Sequence, residues 1–278
     1  MASSQQVELR TAGTLVIGAG VPGLAVVDGL MKQEQGDPRL LSVLVRPPTN
    51  DTARRTLQTL EKKGVSIIHA DLASNTGDDL ATIFTVVDTV ICCAGKINSS
   101  RVECCSQTGQ DVWDQQADVR DMLRRQATTN WIIISTGMFT SFLFEPTFGV
   151  VYLAKGQVDA LGSWDHRLTV TTPEDIGRLT AAILAQEPQI QDEVVYIAGD
   201  TFTYAHLADI EDGHLGRKVE RTLWDTEHLR SKVAANPDDG MRKYHLAFAR
   251  DSGVAWDEAS TFNAQQGIAV TDVPTWLR

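Results

Sequence analysis

Thr14-Leu15-Val16-Ile17-Gly18-Ala19-Gly20-Val21-Pro22-Gly23 is the stretch whose reading decides the fold. Thr14 to Ile17 is a short, apolar, β-branched run, which suits a strand covered on both faces. It runs straight into three glycines in a G-x-G-x-x-G spacing. Leu24 to Gln33 follows, with apolar residues at Leu24, Val26, Val27, Leu30 and Met31, the pattern of a helix laid on a sheet. In such a turn Gly18 permits the sharp bend, Gly20 lets a ligand approach the backbone, and Gly23 lets the helix close on the strand. The strand before and the helix after supply the context that this motif needs to carry meaning.

The pattern continues outward. Leu40–Val45 and Val65–His69 read as second and third strands, and Val87–Cys93 as a fourth. Arg54–Lys63, ended by Gly64, and Leu80–Val86 read as the intervening helices. Four alternations of this kind imply a doubly wound, mostly parallel α/β sheet with right-handed crossovers. Lys96–Gln110 then shows neither period; it is followed by a helix at Val112–Arg125 and a strand at Trp131–Ser135. Leu168–Thr172 and Val194–Ile197 read as strands. A helix from Thr172-Pro173-Glu174-Asp175 to about Glu187, short helices at about Tyr204–Leu215 and Glu227–Ala235, and a polar tail complete the chain. We expect a dinucleotide-binding domain over 1–160 and a smaller, partly integrated region over 161–278 that covers a substrate site.

The second strand bears on which dinucleotide is bound. An NAD site usually places Asp or Glu there to accept from the ribose 2′-hydroxyl. This chain has Arg46, followed by Pro47 and Pro48, and a guanidinium suits a 2′-phosphate. The expected cofactor is NADP(H), held by Gly18, Gly20, Val21, Pro22, Gly23 and Arg46. Asp71 and Leu72 are expected to cover the adenine, and Cys93, Ala94 and Gly95 to pass beside the cofactor. The plainer reading of Arg46 is a solvated strand-end arginine.

The 278 residues carry a net charge of −11, with 42% hydrophobic and 22% charged. An acidic chain of globular composition argues against nucleic-acid or anionic-lipid partners. No basic-then-apolar leader opens the sequence and no run is long enough to span a bilayer, so a cytoplasmic protein is expected. The cysteines fall in adjacent pairs, Cys92-Cys93 and Cys104-Cys105; neighbouring side chains point apart, so no metal site is expected.

The chain resembles the NmrA-like branch of the atypical short-chain dehydrogenase/reductases, which includes isoflavone reductase and phenylcoumaran benzylic ether reductase. It looks most like fungal isoflavone-reductase-like members. The glycine loop with Val45-Arg46, Asp118–Asp121, Trp131–Pro146, Ala160–Asp165, Val170–Arg178 and Val194–Asp200 carry the likeness. The resemblance implies an NADPH-binding reductase of Rossmann type, whose small C-terminal region closes over an apolar aromatic or polyketide-like substrate. Two departures stand out. Gln116 occupies the position of a family lysine, so no ammonium is available there. And Lys96–Gln110 is short for an interval that in relatives holds a helix and a strand.

The remaining candidates are weighed on position. Thr136, Met138, Phe139 and Phe142 follow a strand's carboxyl end, where they would form a substrate wall or fill the core; Trp164 is open to the same two readings. Asp175 reads as a helix-start acid rather than a base, and the six histidines as structural or exposed. Tyr152 and Lys155 do not have the spacing of the usual proton-relay pair. The leading expectation is an NADPH-dependent oxidoreductase acting on an apolar small molecule in secondary metabolism. Its rivals are a dinucleotide-binding redox sensor that acts on a protein partner without turnover, and a non-redox isomerase or cyclase.

Overall fold

The computed structural model describes residues 13–33, 40–94, 111–250 and 253–278, the side chains of 111–116 excepted. The chain divides into two compact units, Met1–Ser99 and Ser100–Arg278.

In the first unit β1 (Thr14–Ile17), α1 (Val21–Met31), β2 (Leu41–Val45), α2 (Asp51–Lys62), β3 (Ser66–His69), α3 (Gly77–Phe84) and β4 (Thr89–Cys92) alternate as the sequence implies. The strands form one parallel sheet in the order β3-β2-β1-β4, with Thr14 level with both Leu41 and Thr89. Side chains alternate across the sheet. Val16, Leu41 and Val43 meet Val26 and Val27 of α1 and Leu60 of α2. Leu15, Ile17 and Leu44 join Leu80 and Ile83 of α3. One face is thus covered by two helices and the other by one, which is why β1 and β2 are apolar without alternation.

The helices begin earlier than apolar periodicity indicates. α1 starts at Val21 rather than Leu24, with Pro22 in its first turn. α2 starts at Asp51 rather than Arg54, because the Asn50 side chain accepts from the Ala53 N–H at 2.8 Å. α3 starts at Gly77 rather than Leu80, because Thr76 and Asp79 form a reciprocal capping box; those bonds hold the Asp79 carboxyl below the usual carboxylate range.

The second unit contains α4 (Asp111–Arg125), β5 (Ile132–Ser135), β6 (Met138–Phe139), α5 (Thr140–Leu143), β7 (Val151–Tyr152), β8 (Gln157–Gly162) and β9 (Arg167–Thr171). It continues with α6 (Pro173–Leu184), β10 (Glu193–Tyr196), β11 (Asp200–Thr203), α7 (Tyr204–Leu215), β12 (Glu220–Asp225) and α8 (Thr226–Ala235). α9 (Gly240–Phe248), β13 (Gly253–Val254), α10 (Phe262–Gln265) and α11 (Val273–Trp276) complete it. β5 pairs with β10, β8 with β12, and β9 with β6 and β13, all parallel; β11 and β7 add antiparallel partners to β9 and β8.

Three expectations need correction here. β8 and β12 form a strand pair that the sequence reading left out; the apolar run of β8 is broken by Asp159, which is buried with its carboxylate accepting from the Gln157 side chain. The tail is not simply polar: Leu246, Phe248, Phe262 and Val273 are buried in it. α6 ends at Leu184, before Glu187.

Candidate functional site

The glycine turn is built as its spacing requires. Gly18 takes φ +94°, and its N–H donates to the Leu44 carbonyl at 3.0 Å. A side chain there would press on the Cys93 carbonyl and the Ala94 backbone at 3.2–3.3 Å. At Gly23 a Cβ would fall 2.0 Å from the Gly18 carbonyl oxygen, so α1 can close on the turn only if this residue is glycine. Gly20 is different: a Cβ there would have only Pro22 Cδ nearby, at 3.8 Å, so open space lies before it. Gly20 is the N-cap of α1 and brings no side-chain oxygen, and Pro22 has no N–H. The first-turn amides of Val21 and Gly23 are therefore not capped by a side chain, and an anion is the natural acceptor for them.

A cleft of about 580 Å³ opens at the carboxyl ends of β1, β2 and β3. Ala19, Val45, Arg46 and Asp71 line it from the sheet, with Asn50, Ala53, Thr56 and Leu57 on the α2 side. Arg46 is exposed, and its guanidinium has no ion pair or hydrogen bond among the described residues. The carboxylate of Asp71 accepts from the Ala73 N–H at 3.0 Å, and its backbone N–H donates to the Asn75 side chain at 2.7 Å, so Asp71 holds a turn at the rim. Leu72 packs on the core beside Leu44 and Ala70.

The end of β4 meets this turn. Cys93 donates its N–H to the Ile17 carbonyl at 2.9 Å, and Ala94 lies against Gly18. Burial, and secondarily Cys92, pushes the Cys93 thiol up to about 11, so it stays protonated and unreactive. Cys92 is an exposed free thiol. Gly95, Cys104, Cys105 and the whole Lys96–Gln110 interval lie outside the described residues, as does the side chain of Gln116. No cluster of three metal-ligating side chains occurs among the described residues.

The substrate-side candidates scatter across the second unit. Met138 is 2% exposed and belongs to the core around Phe148 and Leu168, on which Phe142 and Trp164 also pack. Phe142 also meets the rings of Phe148 and Tyr244, at 4.9 and 5.8 Å between centroids. Phe139 packs instead on the core of Ile176 and Ile183. The Thr136 carbonyl accepts from the Thr171 hydroxyl at 2.7 Å. Asp175 is structural: it pairs with Arg178, and its other oxygen accepts from the Thr271 N–H at 2.7 Å. Lys155 lies over the Tyr152 ring, 4.8 Å from its centroid, in a turn, which is a packing role. His245 is buried, bonded to the Phe148 carbonyl, and held below the usual histidine range by burial.

Asn50, Ala53, Thr56 and Leu57 were missed as cleft residues. Their near-helical spacing just after Arg46's loop was the available signal, and it requires α2 to start at Asp51.

A doubly wound parallel sheet with a glycine turn after its first strand and an exposed arginine after its second defines a Rossmann-type fold. The chain belongs to the NmrA-like family, whose model matches residues 98–251. A relative from Gibberella moniliformis (strain M3125 / FGSC 7600), an NmrA-like family domain-containing oxidoreductase, is 36% identical over 295 residues, covering 95% of this chain and 96% of the relative. This places the chain among the NmrA-like oxidoreductases. In fold it is similar to isoflavone reductase, with a TM-score of 0.77 at 16% identity, over 96% of this chain and 99% of that one. It is also similar to AtPrR2 with NADP+ and (+)pinoresinol, with a TM-score of 0.76 at 14% identity, over 96% and 98% of the two chains. No helix among the described residues is long and apolar enough to cross a membrane.

Proposed function

We propose that this chain is a cytoplasmic NADPH-dependent reductase of an apolar aromatic or polyketide-like small molecule, working in secondary metabolism. The observation that carries the reading is the first-unit cleft, where the glycine turn, Arg46 and Asp71 border one cavity at the strand ends. The bound dinucleotide supplies a hydride for a carbonyl, imine or activated double bond. The Val21 and Gly23 amides hold the diphosphate at the start of α1, and Arg46 holds the 2′-phosphate with charge-assisted bonds. Val45, Ala53 and Leu57 give the adenosine an apolar wall. AtPrR2, which is similar in fold, has been solved with NADP+ and (+)pinoresinol, which supports a reading with NADP and a small-molecule substrate.

A second reading, a dinucleotide-sensing regulator without turnover, is favoured by one feature, glutamine at position 116 in place of the family lysine. Fluorescence titration with NADPH and NADH, followed by turnover on aromatic and cyclic ketones, imines and enones, separates the two. Tight NADPH binding with oxidation supports the reductase; tight binding with no oxidation across the panel supports the sensor. Arg46→Ala is expected to weaken NADPH roughly 10- to 100-fold and leave NADH unchanged. Equal affinity of the wild type for both dinucleotides would sink the assignment of Arg46.

A further inference from the structure

Asn50 stands at the N-cap of α2 with its Oδ1 committed to the Ala53 N–H at 2.8 Å. An amide side chain has one accepting oxygen and one NH2 with two donors. Fixing the oxygen on the helix turns Nδ2 away from it, and that nitrogen has no partner among the described residues. Asn50 is exposed and lines the cleft that Arg46 also lines. The segment between them is stiff: Pro47 and Pro48 have fixed φ, and each restricts the residue before it to extended backbone. Among the described residues the cleft has one carboxylate, Asp71, which is engaged by the Ala73 N–H. On the β2–α2 side the wall therefore offers donors and no acidic acceptor. That wall suits a phosphate dianion and ill suits a bare ribose diol, which needs an accepting carboxylate.

We infer that Asn50 is a second determinant of coenzyme choice, its Nδ2 donating to the 2′-phosphate beside Arg46, an inference that rests on the NADPH reading above. The same residue then starts α2 with its oxygen and selects the coenzyme with its nitrogen. The two roles can be separated. Asn50→Asp keeps the cap, since Asp caps a helix as well as Asn does, but puts a negative oxygen where the donors were. NADPH and NADH are titrated by fluorescence against the wild type, Asn50→Asp and Arg46→Ala, with a thermal melt of each. Expected for Asn50→Asp is an unchanged melting midpoint, NADPH binding weakened roughly 10- to 100-fold, and NADH binding equal or tighter. If NADPH binding stays within twofold while Arg46→Ala loses its preference, the role of Asn50 is overturned and the NADPH reading stands. If the wild type shows no preference for NADPH, both fall together. Should Asn50→Asp fail to fold, Asn50→Ser keeps a capping oxygen without the NH2; several-fold weaker NADPH alone supports the role, and unchanged affinity overturns it.

Discussion

At the scale of single residues, the glycines of one turn are constrained by different things. Gly23 is fixed by the fold, since a Cβ there would meet the Gly18 carbonyl oxygen at 2.0 Å. Gly23→Ala is expected to push α1 off the sheet, costing roughly 1–3 kcal/mol of stability together with coenzyme binding. Gly20 is not fixed by packing, since its Cβ would find open space and its φ of −71° suits any residue; on the proposed function the coenzyme is what needs it. Gly20→Ala is therefore expected to hold stability within about 1 kcal/mol of wild type while weakening NADPH at least tenfold. Denaturant titration and NADPH fluorescence on the two variants test this. Equal losses of stability would mean that both glycines serve packing. Arg46 lies at the opposite extreme, with nothing in the described protein to hold its charge, so its removal should be silent in a melt and visible only in coenzyme affinity.

Among the elements, the C-terminal segment is tied down by polar groups rather than by a strong apolar period. Asn263 at the start of α10 is buried, accepts from the Ala198 N–H at 3.1 Å and donates to the Ala198 carbonyl at 3.0 Å. Asp175 and Asp200 accept from the Thr271 and Val273 amides. Asn263→Ala leaves both backbone groups of Ala198 without their partner. It should cost about 2–4 kcal/mol, read as a lower denaturation midpoint with an unchanged slope. A change below 0.5 kcal/mol would show that water replaces the pair. The same elements mark how far the sequence can be read. β1 to β4 were legible because continuous apolar strands and glycine-ended helices leave strong local patterns. Helix starts were missed by three residues at Asp51 and Gly77 because the signal there is a side-chain cap rather than a period, and at Val21 because Pro22 and Gly23 interrupt the apolar period of the first turn. That displacement also hid the α2 side of the cleft. β8 was illegible because Asp159 interrupts it, and only its pairing with β12, distant in sequence, explains why a carboxylate is buried there.

For the molecule as a whole, the buried titratable groups set how stability follows pH. Glu211 on α7 is 1% exposed, and neither carboxyl oxygen has a hydrogen-bond partner among the described residues. Burial alone pushes it up to about 7. Asp159 and Asp200 are raised as well, by burial first. An acid raised in the folded state binds more protons folded than unfolded, so its contribution is full below the unfolded value and is lost as pH rises through the folded one. His245 acts from the other side: burial depresses it, so its contribution is lost as pH falls. Stability should therefore decline between about pH 5 and pH 8, with Glu211 supplying up to about 3 kcal/mol of the decline if none of the charge is relieved by water. Glu211→Gln removes the ionisation at nearly constant volume. Its denaturation midpoint is expected to match wild type near pH 5 and to exceed it by a growing margin through pH 8. Midpoints measured at each pH unit decide the matter: parallel curves for the two proteins would place the ionisation of Glu211 outside the folded core.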